Sequence, residues 1–153
     1  MTIRPMTAAD ASVVASLSEQ LGYPISPTVI AERLGLLSRS PEHGCLVAER
    51  DGVVVGWIHV FGFHMLTSPN FFAEVGGLVV DAGARRQGVG RALMSRAEAW
   101  AQAHGYSEVR LRSGLPRTGA HAFYQSIGYE LTKTSHMFRK VLGVDEPIFQ
   151  AMA

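Results

Sequence analysis

The sequence predicts a single mixed α/β domain in which helices are set around a β-sheet. Three observations point there. At 153 residues the chain has the size of one domain and is long enough to bury a core. Short β-rich runs alternate with longer segments whose apolar residues recur at helical spacing. Two of the apolar runs flank Asp51-Gly52, a dipeptide suited to tight turns with positive φ.

The elements follow in chain order. "TIRPM" reads as a short strand, and "TAADASVVASLSEQLG" as a helix with Thr7 as N-cap, Asp10 three residues on, and Gly22 as its stop. "SPTVIAERLGLLSRS" is a second helix, opened by Ser26 with Pro27 at its first position. "GCLVAERDGVVVGWIHVFGFHM" is the hairpin around Asp51-Gly52. "FFAEVGGLVVD" is another strand, in which Gly76-Gly77 signals a bulge or a close backbone approach. From about Gly88 to His104 runs a helix that buries Val89, Leu93, Ala97, Trp100 and Ala101. "SEVRLRS" alternates as a strand with Val109 and Leu111 on one face, "RTGAHAFYQSIG" is a short helix ending at Gly128, and "YELTKTSHMFRKVL" is strand-like. The tail from Gly143 has no clear pattern.

Composition narrows the function. Hydrophobic residues make up 47% and charged residues 18%, ordinary for a globular chain. A net charge of +1 makes no electrostatic case for nucleic acid or for an anionic membrane. The histidines at 43, 59, 64, 104, 121 and 136 show no metal-ligand spacing, so no metal is expected. The single Cys45, in the apolar run "CLVAE", reads as a buried structural thiol rather than a nucleophile. "MTIRPMTAADASVV" lacks a continuous apolar signal core, and no segment is long enough to span a bilayer, so a cytoplasmic protein is expected.

One stretch carries chemistry. "VVDAGARRQGVGRALMSRAEAWAQAHG", residues 79–105, is a strand feeding a glycine-bearing turn that opens a helix. The first N–H groups of a helix lack internal partners, and the macrodipole places partial positive charge there. Glycine removes the Cβ that would hold a phosphate away from those amides, while Arg85, Arg86 and Arg91 add charge. Glycines also occur at helix starts simply to allow close packing on a sheet. Neither the G-x-x-x-x-G-K-[ST] loop nor the G-x-G-x-x-G fingerprint is present, and 83–90 contains no lysine, which argues against a nucleoside triphosphatase.

The run R-R-Q-G-V-G-R at 85–91 fits the R-x-x-G-x-G/A signature, "EVGGLVVD" precedes it, and "AHAFYQSIGYE" follows with Tyr124 and Gly128-Tyr129 at a matching distance. On these motifs the chain resembles the GNAT N-acetyltransferase superfamily, over roughly residues 3 to 142. The segment "LRSGLPRTGAHAFYQSIGY" also resembles a branch that includes aminoglycoside N-acetyltransferase-like proteins. The resemblance implies a domain at 1–142 with a C-terminal tail at 143–153. Its sheet would be central and mostly antiparallel, flanked by helices and splayed between "LVVD" and "SEVRLRS" to admit acetyl-CoA as co-substrate. The pyrophosphate would rest on the backbone amides of Gln87, Gly88, Val89, Gly90 and Arg91, with Arg85 and Arg86 beside them. The pantetheine arm would pair with main-chain groups of Leu78, Val79 and Val80. Gly76-Gly77 would either help open that gap or merely relieve strand twist.

The implied chemistry is direct acetyl transfer from a thioester to a primary amine of a small molecule or protein. Tyr124 matches the family's general acid, and its phenol, with a reference pKa of about 10, stays protonated at neutral pH. The bland reading of Tyr124 is a packed ring with its hydroxyl satisfied locally. The Val80 N–H is the natural donor to the carbonyl oxygen. Glu74 stands where the family often carries a base, but many relatives have acids where this chain has Gly76 and Gly77. His59, His64 and His121 are rival bases. Arg117 replaces an asparagine that touches the cofactor in many relatives, and it either reaches a phosphate or caps the next helix. Phe61, Phe63, Met65, Phe71 and Phe72 have three fates open: an acceptor pocket, the core, or a homodimer contact. A non-catalytic acyl-CoA-binding regulatory module is the alternative from another class.

Overall fold

The computed structural model describes residues 1–143, which divide into two compact units after Leu111. Residues 144–153, most of the unpatterned tail, lie outside the described residues. In the first unit the chain order is β1 (Thr2–Pro5), α1 (Ala11–Gln20), α2 (Pro27–Leu37), β2 (His43–Arg50), β3 (Val53–Phe63), β4 (Phe72–Val80), α3 (Val89–Ala103) and β5 (Glu108–Leu111). The second unit holds α4 (Thr118–Ser126). Among the described residues no helix is long and apolar enough to cross a membrane.

Local chemistry accounts for the boundaries. The Asp10 carboxylate accepts from the Thr7 N–H at 2.8 Å, so the first helix is capped as expected, although its opening turn, Ala8–Asp10, is a tighter 3-10 turn. Ser26 Oγ accepts from the Val29 N–H at 3.2 Å, and Pro27 supplies the preset φ that starts α2. Asp51 and Gly52 both have positive φ, at 52° and 76°, the backbone of a two-residue hairpin turn.

The five strands lie in the order β1-β2-β3-β4-β5. All neighbours are antiparallel except β4 and β5, so the sheet is mixed and mostly antiparallel, as the sequence implies. Opposed residues share a face. One face presents Leu46, Ile58, Val60, Ala73 and Val75, and α3 covers it: Trp100 lies over Gly44, and Leu93 and Val89 over Gly56. Leu93, Met94 and Ala97 are almost wholly buried there. The helical spacing picks out Leu93 and Ala97 but misses Met94, and Trp100, stacked on His104 near the helix end, is only half-buried.

At Gly62 the approach is closest, for an added Cβ would collide with the Tyr106 ring and hydroxyl. Gly62→Ala is therefore expected to destabilise the first unit by about 1–3 kcal/mol, the usual cost of overpacking. A thermal melt followed by circular dichroism checks it.

The expectation of a strand at 129–142 fails. Those residues form no strand and are exposed throughout from Glu130 to Leu142, with Phe138 at 93% and Met137 at 87% exposure. Alternation alone supplies two faces, whereas a strand exists only through its ladder of hydrogen bonds, and this segment has no ladder.

Candidate active site

The site is built from the way β4 ends. β5 accompanies β4 only from Phe72↔Glu108 to Val75↔Leu111. Immediately afterwards Val60 pairs with Val75 and His59 with Gly77, leaving Gly76 as the extra residue of a bulge. The glycines have a further cause, since a Cβ on Gly77 would meet the Trp57 ring at 2.7 Å. Beyond the bulge, residues 77–80 pair with β3 on one edge and with no described strand on the other. The Asp81 N–H donates to the Val55 carbonyl at 2.8 Å, which fixes the alternation along β4. Main-chain groups of Val79 therefore turn toward β3, and those of Leu78 and Val80 toward the open edge. The Val80 carbonyl, on that edge, accepts from Arg85 Nε at 3.1 Å.

The loop after β4 is braced from two sides. Gln20, at the end of α1, donates to the Asp81 carboxylate at 2.9 Å and accepts from the Ala82 N–H at 3.0 Å. Asp81 also accepts from the Gly83 N–H at 3.0 Å. On the other side Arg50, the last residue of β2, donates to Gln87 Oε1, and Gln87 Nε2 donates to the Gly83 carbonyl at 3.2 Å. Neither Gln20 nor Arg50 carries a local sequence signal, because the contacts span 61 and 37 residues.

Within the braces the backbone turns sharply. Arg86 has φ 62° and Gly88 φ 81°, both left-handed. A non-glycine residue held there costs about 1–3 kcal/mol and persists only where its surroundings impose it. Alternating conformations of this kind turn successive amides inward as an anion-binding concavity. α3 begins at Val89, and its first cap bond is Ala92 N–H to the Gly88 carbonyl at 3.0 Å, so the Val89, Gly90 and Arg91 amides lie ahead of it. A Cβ on Gly88 would meet nothing within 4 Å, so open space faces that position. These residues fit a phosphate-bearing co-substrate.

On the sheet face opposite α3, register gathers His43, Cys45, Trp57, His59, Phe61, Glu74 and Arg110. Glu74 is half-buried, opposite Phe61 on one side and Arg110 on the other. His59 Nε2 meets His43 Nδ1 at 2.9 Å, and burial, with the neighbouring His43, pushes its pKa down to about 4. It is neutral and only weakly basic at pH 7. Burial pushes the Cys45 thiol up to about 11, in keeping with a structural role. The indole N–H of Trp57 is buried without a partner among the described residues, a state that costs about 1–3 kcal/mol unless a water or ligand accepts from it.

His64 is exposed and faces Glu42 at 3.2 Å, outside this group. The phenylalanines divide: Phe72 is core, Phe61 and Phe63 are half-buried, and Phe71 and Met65 are exposed.

In the second unit, Arg117 caps α4 with its backbone, accepting the His121 N–H at 3.1 Å, and His121 Nε2 donates to the Gly114 carbonyl at 2.9 Å. Tyr124 is half-buried against Phe123 and Tyr129. Burial raises its phenol pKa above the usual value, and the Arg117 charge offsets part of that rise. The hydroxyl is therefore protonated at neutral pH.

Residues 12–129 match the sequence model of the Acetyltransferase (GNAT) family. The chain belongs to the GNAT acetyltransferase family. Among GNAT relatives, the aminoglycoside N(6')-acetyltransferase type 1 of Stenotrophomonas maltophilia is 31% identical over 144 residues, covering 92% of this chain and 94% of that one. N-acetyltransferase 8 of Homo sapiens is 36% identical over 89 residues, 58% of this chain, and the match spans only 39% of that longer protein. The GNAT fold is also that of a solved aminoglycoside 6'-N-acetyltransferase in complex with a bisubstrate analogue of CoA and an acetylneamine. That likeness has a TM-score of 0.81 at 19% identity and covers 92% of this chain and 98% of that one.

Proposed function

We propose that this GNAT chain transfers the acetyl group of acetyl-CoA directly to a primary amine. The observation that carries the reading is the open edge of β4 beyond Val75, which runs straight into the braced loop and the first amides of α3. Gln87 to Arg91 receive the pyrophosphate on their amides, strengthened by the α3 dipole and by Arg85, Arg86 and Arg91. Leu78 and Val80 offer main-chain groups to the pantetheine arm, and the Val80 N–H stabilises charge on the thioester oxygen. The thioester supplies an activated acetyl group. Glu74 takes the proton that the amine must lose, and Tyr124 gives one to the departing sulfur.

The acceptor face is not built for a polycation. Among the described residues the register places the Glu74 carboxylate on it with Arg110 opposite and with His43, His59 and Phe61 on the same face. A monoamine with an apolar body suits this surface better than an aminoglycoside, the acceptor named for the Stenotrophomonas relative.

Glu74→Gln tests the base. Turnover should fall by about 10²-fold, the lower end of the range for a lost general base, and the rate should lose its rise on the acidic side. Affinity for acetyl-CoA, measured by titration calorimetry, should not change. An unaltered pH–rate profile would assign proton removal to a histidine or to water.

A further inference from the structure

We propose that Arg50, outside the glycine loop and on a different strand, binds the 3′-phosphate on the ribose of CoA, with Gln87 holding its guanidinium in readiness. The inference rests on the acetyl-CoA reading above and adds a residue that no motif marks.

Three features of the structure lead to it. Arg50 ends β2 just before the Asp51-Gly52 turn, and it reaches across to the side chain of Gln87 in the loop whose amides face the pyrophosphate. Its partner there is a neutral amide, so the guanidinium charge is left uncompensated. Among the described residues it has no carboxylate partner: the adjacent Glu49 is bonded to Arg4 at 2.8 Å, and Asp81 is held by Gln20 and the Gly83 N–H. Finally, the amide of Gln87 is anchored at its other end to the Gly83 carbonyl, so Arg50 is fixed without being neutralised.

A guanidinium in that state exchanges a neutral acceptor for an anionic one readily, because a phosphate adds the attraction of opposite charges to the hydrogen bond. Its planar fork suits phosphate oxygens. The backbone amides and the α3 dipole serve the pyrophosphate. Arg50 meets the side chain of Gln87 rather than its main chain, so it lies off the row of amides, which suits the outlying phosphate monoester rather than the diphosphate.

The test is equilibrium binding of CoA and of 3′-dephospho-CoA to the wild-type chain, Arg50→Gln and Arg50→Lys, by titration calorimetry. Arg50→Gln should bind CoA about tenfold more weakly, a difference equivalent to about 1.4 kcal/mol. It should bind dephospho-CoA as the wild type does. Arg50→Lys should recover part of the lost affinity for CoA alone, and it serves as the readout should Arg50→Gln fold poorly. Equal losses for both ligands, or none, would overturn the assignment. So would a wild type that binds the two ligands equally. A wild type that binds neither would overturn the acetyl-CoA reading as well.

Discussion

Tyr124→Phe is expected to fold, to bind acetyl-CoA as the wild type does, and to lose turnover by a factor of about 10²–10⁴, the range for a lost general acid. The ring does the packing: it lies 5.2 Å from Phe123 and edge-on to Tyr129 at 6.2 Å between centroids, and phenylalanine keeps that shape. What disappears is a hydroxyl that burial keeps protonated well above neutral pH. A weak acid of this kind donates in the transition state rather than beforehand, so its loss falls on kcat more than on binding. The deficit should shrink for an acyl donor whose thiol leaves more easily. Steady-state kinetics with both donors make the comparison, and wild-type turnover in Tyr124→Phe on a good acceptor would leave the hydroxyl a structural role only.

Gly88→Val should have the other large effect, on cofactor affinity. At φ 81° a β-branched residue is a conformational outlier, and the chain relieves it by rotating the turn that aims the first amides of α3. CoA should bind about 10²-fold more weakly, equivalent to about 2.8 kcal/mol. Folding should suffer much less, because the position is exposed and an added Cβ meets nothing within 4 Å. Gly88→Asn is the informative control. Asparagine tolerates the left-handed region, so that variant should retain most of the affinity. A folded Gly88→Val chain with wild-type CoA affinity would remove the pyrophosphate from this turn.

Much of this arrangement is legible in the sequence wherever the cause is local. Asp51-Gly52 announces its hairpin because few other dipeptides accept positive φ twice in succession. Val89, Leu93, Ala97 and Ala101 mark the buried side of α3 because the sheet lies against one stripe of it. The Gly76-Gly77 bulge can be suspected from its glycines, but their cause cannot. Trp57 lies over Gly77 only once β3 and β4 are in register.

Causes that depend on distant partners are hidden. Gln20 and Arg50 brace the loop from α1 and β2, and neither has a motif. His43 becomes part of the acceptor face only because β2 sets it beside His59 and opposite Phe61. The segment 129–142 shows the converse. Its pattern is that of a strand, yet pattern does not supply the neighbour that a strand requires.

The central claim is that the chain catalyses acetyl transfer to an amine, and the release of CoA thiol tests it most directly. Purified protein is mixed with acetyl-CoA and a panel of primary amines, from apolar monoamines to aminoglycosides, and free thiol is followed with a chromogenic disulfide. Amine-dependent thiol release is expected, with an equal amount of N-acetylated amine found by mass spectrometry and monoamines ahead of the polycations. Tight binding of acetyl-CoA with no thiol released above the buffer rate by any amine would contradict it, and would make the chain an acyl-CoA-binding regulatory module instead.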